Sequence, residues 1–576
     1  MATEPSTLEL EDIENGALHP RPSPYVGVYI LLGIDQPQAG RELLRRLLPA
    51  LASATDPADR DKQAWVSAGL TFQGLKALGV PQASLDSFPE EFQQGMAARA
   101  ELLGDVGESA PKHWESPLGT QDVHVALAAL SPDADRLDVV MERARASYRE
   151  LSGIEAIWRQ DVYAQAGERT SFGFRDSLSN PAVEGSGIPG TNPQEAPIKA
   201  GEFLLGYRNE MGALTPLPQP EVLGRNGTYL VFRKLHTRVA AYRQYLRAKA
   251  RNRAEEELLA AKIVGRWPSG APLALAPDKD DPALGDDPVR SNDFLYQADD
   301  PRGLKCPLGA HARRMNPRDA SIIGVPRLHR LIRRSTSYGP MLPEGVLEDD
   351  GADRGIIFVA AGARLDRQFE FVKTQWINDG LFFGSPDDKD PLVGPNDGSG
   401  QFTIPQRPIR RRLTELGGPT PKRGGGLVGW SRWLLAKARK GLADAIGGVV
   451  VVRHLVTHPR AHPAGVFGFA LYWFGHLLTL YAALRAFTET RLVLAALVLA
   501  FATGYVATAL PLPGGGSGGI EAALAFSLHG VGVPLAPALL SVLVYRFFTF
   551  WLPILPALAL LPTVKQLNRE LPQLAR

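Results

Sequence analysis

Three things are scarce in this chain of 576 residues. It has one cysteine, Cys306, which excludes an internal disulfide and any metal site built from several thiolates. A single thiol also fits a reducing compartment. The N-terminus, Met1 to Ser6, has no apolar run and no twin-arginine pair, so no signal peptide is expected and the first part of the chain is expected on the cytoplasmic side. Acids run out toward the end. The whole chain balances 63 basic against 61 acidic residues, yet from residue 445 onward only Glu489, Glu521 and Glu570 are acidic. The earlier part has an ordinary globular composition. Such a length predicts roughly two to four domains.

What is present begins with residues 1–22, which read as a flexible leader. Tyr25 to Leu32 is an apolar, β-rich run and predicts a buried strand. Helical periodicity follows over 39–52, with Leu43, Leu44, Leu47 and Leu48 on one face. Strands at 66–70 and 122–130 and helices at 72–78 and 134–151 complete a rhythm that predicts a ferredoxin-like α+β unit over 23–215. A second unit, 216–426, repeats the scheme: strands 227–234 and 355–360, helices 238–253 and 368–376. It carries a Pro/Asp/Gly-rich insertion at 268–300 and coil from 384.

Composition then changes abruptly. Residues 427–463 form a basic amphipathic linker with Trp430, Trp433, Lys437, Arg439 and Lys440, suited to a membrane surface or to a solvated helix. Within 464–563 three apolar runs, 466–484, 492–510 and 536–560, each approach the roughly 20 residues that cross hydrocarbon. A glycine-rich break over 511–530 predicts a re-entrant segment. Glu521 and Arg546 sit in apolar runs, where charges face a bundle interior or a cavity. A basic tail, 564–576, ends the chain. The fold class is therefore α+β followed by an all-α, multi-pass transmembrane block.

The chemistry gathers in the loop from Cys306 to Arg318, around His311. A lone histidine is more often structural than a ligand. This one opens a span in which Arg313, Arg314, Arg318, Arg327, Arg330, Arg333 and Arg334 meet a single acid, Asp319. Such density calls for an anion. Nucleic acid fits poorly, because aromatic interleaving is sparse and the domain is not basic overall. Haem is another candidate, since its propionates are anions and its iron takes an axial imidazole. Asp176, in the turn Gly173-Phe174-Arg175-Asp176, is a weak signal alone and gains meaning beside His311 and Arg333.

Several segments, in order, carry a resemblance. They are Ser87 to Phe92 with Gly95-Met96-Ala97, Leu102 to Asp105, Asp122 to Val125, Phe172 to Asp176, Gly227 to Lys234, Cys306 to Arg318, Arg333-Arg334 and Arg367 to Phe371. From about Pro24 to Gly426 the chain resembles the dye-decolourising (DyP-type) peroxidases. The resemblance implies two ferredoxin-like units, of the dimeric α+β barrel type, enclosing one haem b per chain. It implies His311 as the proximal iron ligand and Asp176 and Arg333 as the distal acid–base pair, with Ile356 and Phe358 lining the distal pocket. Hydrogen peroxide would be reduced, and dye-like or phenolic donors oxidised by one-electron steps. An aspartate base predicts an acidic optimum. Bulky donors cannot reach a buried haem edge, so Tyr338 and Trp376 are candidate surface radical sites, or simply packing aromatics. One departure matters: the family motif ends in glycine where this chain has Ser177. A positive φ there would strain serine, and its hydroxyl could hydrogen-bond Asp176. A haem-binding sensor or carrier with weakened turnover is thus an alternative.

The tail resembles the end of the lysylphosphatidylglycerol synthase/flippase membrane region, through Pro513 to Ala522, Val544-Tyr545-Arg546 and Phe550 to Pro553. This covers only the end of that region, so an anchor is the expectation, with a lipid-handling protein bearing a degenerate peroxidase domain as a further alternative. The partners implied are peroxide, an organic donor and a bilayer met through 464–563, without nucleic acid and compatible with self-association.

Overall fold

A computed structural model describes residues 7–55, 64–320, 325–385, 387–395, 398, 400–407, 409–417, 463–489, 492–506 and 519–552. The chain divides into two units, residues 1–421 and 422–576.

In the first unit, β1 (Val26–Ile34), β2 (Trp65–Leu70), β3 (Val125–Ser131) and β4 (Ile154–Tyr163) form one antiparallel sheet in the order β2-β3-β1-β4. That order, with helices Pro37–Leu47 and Ala134–Ala146 as the crossovers, is the ferredoxin-like arrangement expected from the rhythm. Alternation explains the packing. Val28, Ile30, Leu32 and Ile34 point to the helices and bury against Leu43, Leu47, Val66, Leu127 and Met141. Tyr29 and Leu31 point the other way, to a second cluster with Trp65, Trp158, Tyr338 and Ile357.

A second antiparallel sheet is built from β5 (Tyr229–His236), β6 (Ile332–Arg333), β7 (Thr336–Tyr338) and β8 (Gly355–Gly362). Strand β8 lies between β5 on one side and β6 and β7 on the other. The repeat is therefore partial: among the described residues no further strand joins this sheet. The chain instead closes with a separate hairpin, β9 (Gly400–Ile404) on β10 (Arg411–Leu416). The expected helix at 238–253 is two helices, Val239–Lys249 and Arg253–Val264. The break falls where Asn252 caps the second, its side chain accepting from Glu255 N–H. The insertion 268–300 is ordered by its own apolar residues: Leu273, Leu284, Phe294 and Tyr296 bury with Trp267 and Cys306.

The leader expectation is corrected for residues 7–22. Ile13, Ala17 and Leu18 are core residues, packed with Val183, Ile198 and Phe203. Residues 1–6 lie outside the described set.

The second unit is helical: Pro463–Phe487, Leu494–Val506, Gly519–Gly530 and Leu535–Arg546. Leu480, Leu484, Leu497, Phe501, Leu524 and Val542 form its interior. Among the described residues no helix is long and apolar enough to cross a membrane. The expected spans 492–510 and 536–560 run past the described residues, as do the 427–463 linker, all but its last residue, the 511–518 part of the re-entrant stretch and the tail from 564. Glu521 and Arg546 meet as expected of charges in apolar runs, with Arg546 Nε donating to Glu521 Oε1 at 2.8 Å.

Glu14 ties the N-terminal segment to β2, accepting from the Ala68 N–H at 2.7 Å. Burial raises its carboxyl to about 7. Between the unfolded value and 7 the native state holds a proton that the unfolded chain releases, so stability falls as pH rises through that window. Glu14→Gln is expected to leave the stability unchanged at pH 4 and to raise it at pH 8, by at most about 3 kcal/mol. Thermal unfolding at the two pH values checks this.

Candidate functional site

His311 opens a one-turn helix, His311–Met315. Its Nδ1 lies 2.9 Å from Asp390 Oδ2. Asp390 is fully buried, and its Oδ1 also accepts the backbone N–H groups of Leu392 and Val393 at 2.9 and 3.0 Å. Burial pushes this carboxyl up, but His311, Arg314 and the Val393 N–H outweigh it and hold it at about 2. On the imidazole, burial disfavours the charged form and Asp390 more than offsets it, so the ring binds protons above its ordinary value. An ionised carboxylate can only accept. In the neutral ring the proton therefore sits on Nδ1, and Nε2 is the atom left to coordinate.

Arg314 fixes the loop from behind. It is wholly buried. It donates to the carbonyls of Gly309, Trp376, Asp379 and Asp388 at 2.9, 2.5, 2.9 and 2.9 Å. Arg313 is spent on Asp300 and the Cys306 carbonyl, Arg318 on the carbonyls of Asn292 and Phe294, Arg327 on Glu210 and Arg330 on Glu195. Arg334 donates to the carbonyls of Gly16 and Leu18. The reading that this arginine density needs an external anion is thereby corrected. Most of these guanidiniums are internal ties between segments far apart in sequence.

Three of these arginines, Arg318, Arg330 and Arg333, also line one large cavity. On β6 Arg333 pairs with Ala360 of β8, so its side chain shares a face with Ala360, Phe358 and Ile356. All four line that cavity, of about 2150 Å³, and His311, Asp176 and Tyr338 line it too. Arg333 Nη2 donates to Asp176 Oδ1. Asp176 hangs from a turn made by Gly173 at φ +88°, its N–H donating to the Glu168 carbonyl at 3.0 Å. Ser177 has φ +57°, the left-handed conformation that glycine adopts freely. Its hydroxyl accepts from Arg21 Nη2 at 3.0 Å.

Of the residues singled out in the sequence, His311, Asp176, Arg333, Ile356, Phe358 and Tyr338 therefore come together, and Trp376 does not reach the cavity wall. The surface placement of Tyr338 and Trp376 is corrected: they are 1% and 2% exposed. Tyr338 is packed between the two sheets, with its hydroxyl 3.2 Å from Asp353. Trp376 is walled in by His329, Phe371 and Phe382. Asp390 and Arg21 escaped the sequence reading. Asp390 sits in a Gly/Pro/Asp-rich stretch where one acid looks like the next, and Arg21 was assigned to the leader.

The arrangement fits a metal that brings most of its own ligands. Among the described residues no group of three or more His, Cys, Asp or Glu side chains could hold a bare ion. Of the histidines on the wall of this cavity of about 2150 Å³, His311 is the one held by a fully buried carboxylate, and the space is ample for an iron macrocycle. Comparison with known proteins bears on this directly. A dye-decolourising peroxidase of Mycena epipterygia is 33% identical over 379 residues, covering 61% of this chain and 69% of its own length. One from Mycetinis scorodonius is 30% identical over 386 residues, covering 64% and 72%. The chain belongs to the dye-decolourising peroxidase family. It is a peroxidase, and because these are haem enzymes a haem cofactor is implied. An ancestral D-type member of known structure aligns with a TM-score of 0.61 at 27% identity, over 71% of this chain and 94% of its own. Another, in complex with cyanide, aligns at 0.60 and 26% identity, over 72% and 94%. Residues 411–557 match the family model described as the lysylphosphatidylglycerol synthase TM region. That match starts within β10, well before the point at which the resemblance was read.

Arg314→Met removes a charged donor and strands four carbonyls. It is expected to destabilise the first unit by about 3 kcal/mol or more. Denaturant unfolding followed by tryptophan fluorescence measures it.

Proposed function

We propose that the chain reduces hydrogen peroxide at one haem b, held through His311 Nε2, and oxidises dye-like or phenolic donors one electron at a time. The observation that carries this is a carboxylate–guanidinium pair, Asp176 with Arg333, on the wall of the same cavity as an imidazole whose other nitrogen is bonded to Asp390. Haem, when bound, supplies the redox chemistry, taking two electrons' worth of oxidation from peroxide and returning it in single steps.

The protein's part is proton handling and shape. Asp176 accepts the proton from one peroxide oxygen and returns it to the other, so that water leaves. Arg333 stabilises the negative charge that develops as the O–O bond breaks. Ile356 and Phe358, neighbours of Ala360 on the same face of β8, keep that wall apolar. His311 is held in one tautomer and one orientation by Asp390.

The C-terminal unit is proposed to tether this chemistry to a membrane. Two observations support it: the family-model match over 411–557, and apolar side chains turned outward, among them Phe474, Leu494, Leu499, Phe526 and Phe548.

Asp176→Asn is expected to lower kcat/KM for peroxide by about 10²- to 10⁴-fold while the Soret absorption of the purified protein persists. His311→Ala is expected to remove that absorption. A Soret band that survives His311→Ala sinks the ligand assignment. In a separate test, deleting residues 422–576 is expected to move peroxidase activity from the membrane fraction to the supernatant.

A further inference from the structure

Asp176 meets not one guanidinium but two. Arg21 reaches it from the N-terminal segment, which Arg334 clamps through the Gly16 and Leu18 carbonyls. The Arg21 and Asp176 side chains are each 7% exposed, and Arg21 Nη2 lies 3.8 Å from Asp176 Oδ2. The same Nη2 donates to Ser177 Oγ at 3.0 Å, and Nε donates to the Ser335 carbonyl at 3.1 Å. The guanidinium stacks 4.1 Å above the Tyr25 ring. Arg21 is not part of the cavity wall; it meets that wall through Asp176 and Ser177.

Ser177 explains how it is held. A left-handed φ of +57° costs a serine about 1 kcal/mol, which glycine would not incur. Glycine, however, offers no side-chain acceptor. In this chain the hydroxyl supplies one, and it captures Arg21 Nη2, the same nitrogen that lies 3.8 Å from Asp176 Oδ2.

We propose that Arg21 is a positioning residue that keeps Asp176 ionised and oriented, and that Ser177 is its anchor. This rests on the reading of Asp176 as the proton acceptor. The groups facing Asp176 are Arg333 from β6 and Arg21 from the N-terminal segment. Arg334 lies beyond Arg21, with Tyr25 beneath it. Glu168 presents its backbone carbonyl to the Asp176 N–H, its carboxylate bonded to Ser23. Arg175, next in sequence, turns away to Asp286. Two cations against one carboxylate favour the charged form, and withdrawing one raises its affinity for protons.

The test is the pH profile of kcat/KM for peroxide in the full-length haem-loaded protein, with fluoride affinity of the resting protein against pH as a second readout. Arg21→Gln is expected to move the acid limb of both curves up by about one pH unit. Ser177→Gly, which relaxes the backbone and removes the anchor, is expected to move it in the same direction by less. The double variant should match Arg21→Gln alone, because the hydroxyl acts only through Arg21. Arg21→Lys, which retains the charge, should leave the limb in place, and it covers the case in which Arg21→Gln does not fold. Acid limbs that stay put in both Arg21→Gln and Ser177→Gly, or in Ser177→Gly alone where Arg21→Gln is lost, overturn the proposal even if kcat falls. Full activity in Asp176→Asn instead overturns the reading on which it rests.

Discussion

A carboxylate cut off from water organises the cavity. Asp390 is fully buried, and removing an ionised group from solvent is affordable only when every lone pair finds a donor. Here the donors are His311 Nδ1 and two backbone amides, with the Arg314 charge nearby. Each constrains something. The amides fix residues 390–393 in a turn, and the imidazole loses its freedom to rotate or to change tautomer. Arg314, tied to carbonyls at 309, 376, 379 and 388, holds the His311 loop and the Asp390 stretch in one piece. Without that staple the acid and the histidine would be two mobile loops, 79 residues apart.

The wall that carries Arg333 depends on register. Arg333 faces the cavity because it pairs with Ala360, and a slip of one residue would turn it to the other side of the sheet. The partners that set its surroundings come from far away in sequence: Asp176 from the loop after β4, and Arg21 from before β1. An N-terminal segment that packs Ile13, Ala17 and Leu18 into the core is thus part of the cavity's construction.

What could be read from the sequence follows from this. β1 and β5 announce themselves as apolar, β-branched runs, and the crossover helices by their periodicity. β4 was missed. It lies at the sheet edge, and residues such as Glu155, Arg159 and Gln160 interrupt its apolar pattern. His311, Asp176 and Arg333 stood out because each sits in a motif. Asp390 did not, since its role comes from burial, and burial is a property of the whole fold. The arginine-rich span misled for a related reason. Counting charges shows an excess of cations but not that backbone carbonyls and distant acids, Glu195 and Glu210 among them, absorb it.

The two units solve opposite problems, and the contrast bears on the tether. The first gathers most of its large apolar side chains into buried clusters. The second exposes Leu471, Phe474 and Phe526 while its Glu521–Arg546 pair is 17% and 10% exposed. In water such a unit would leave apolar surface solvated and still pay for desolvating an ion pair. In hydrocarbon both costs fall: the outer side chains match their surroundings, and each charge has its partner at 2.8 Å instead of facing lipid alone. His476 and Tyr545, joined at 2.6 Å, follow the same rule of polar groups paired inside an apolar shell. A charge pair kept inside helices that are apolar outside is what an apolar solvent selects, and this supports the tether proposed for the C-terminal unit.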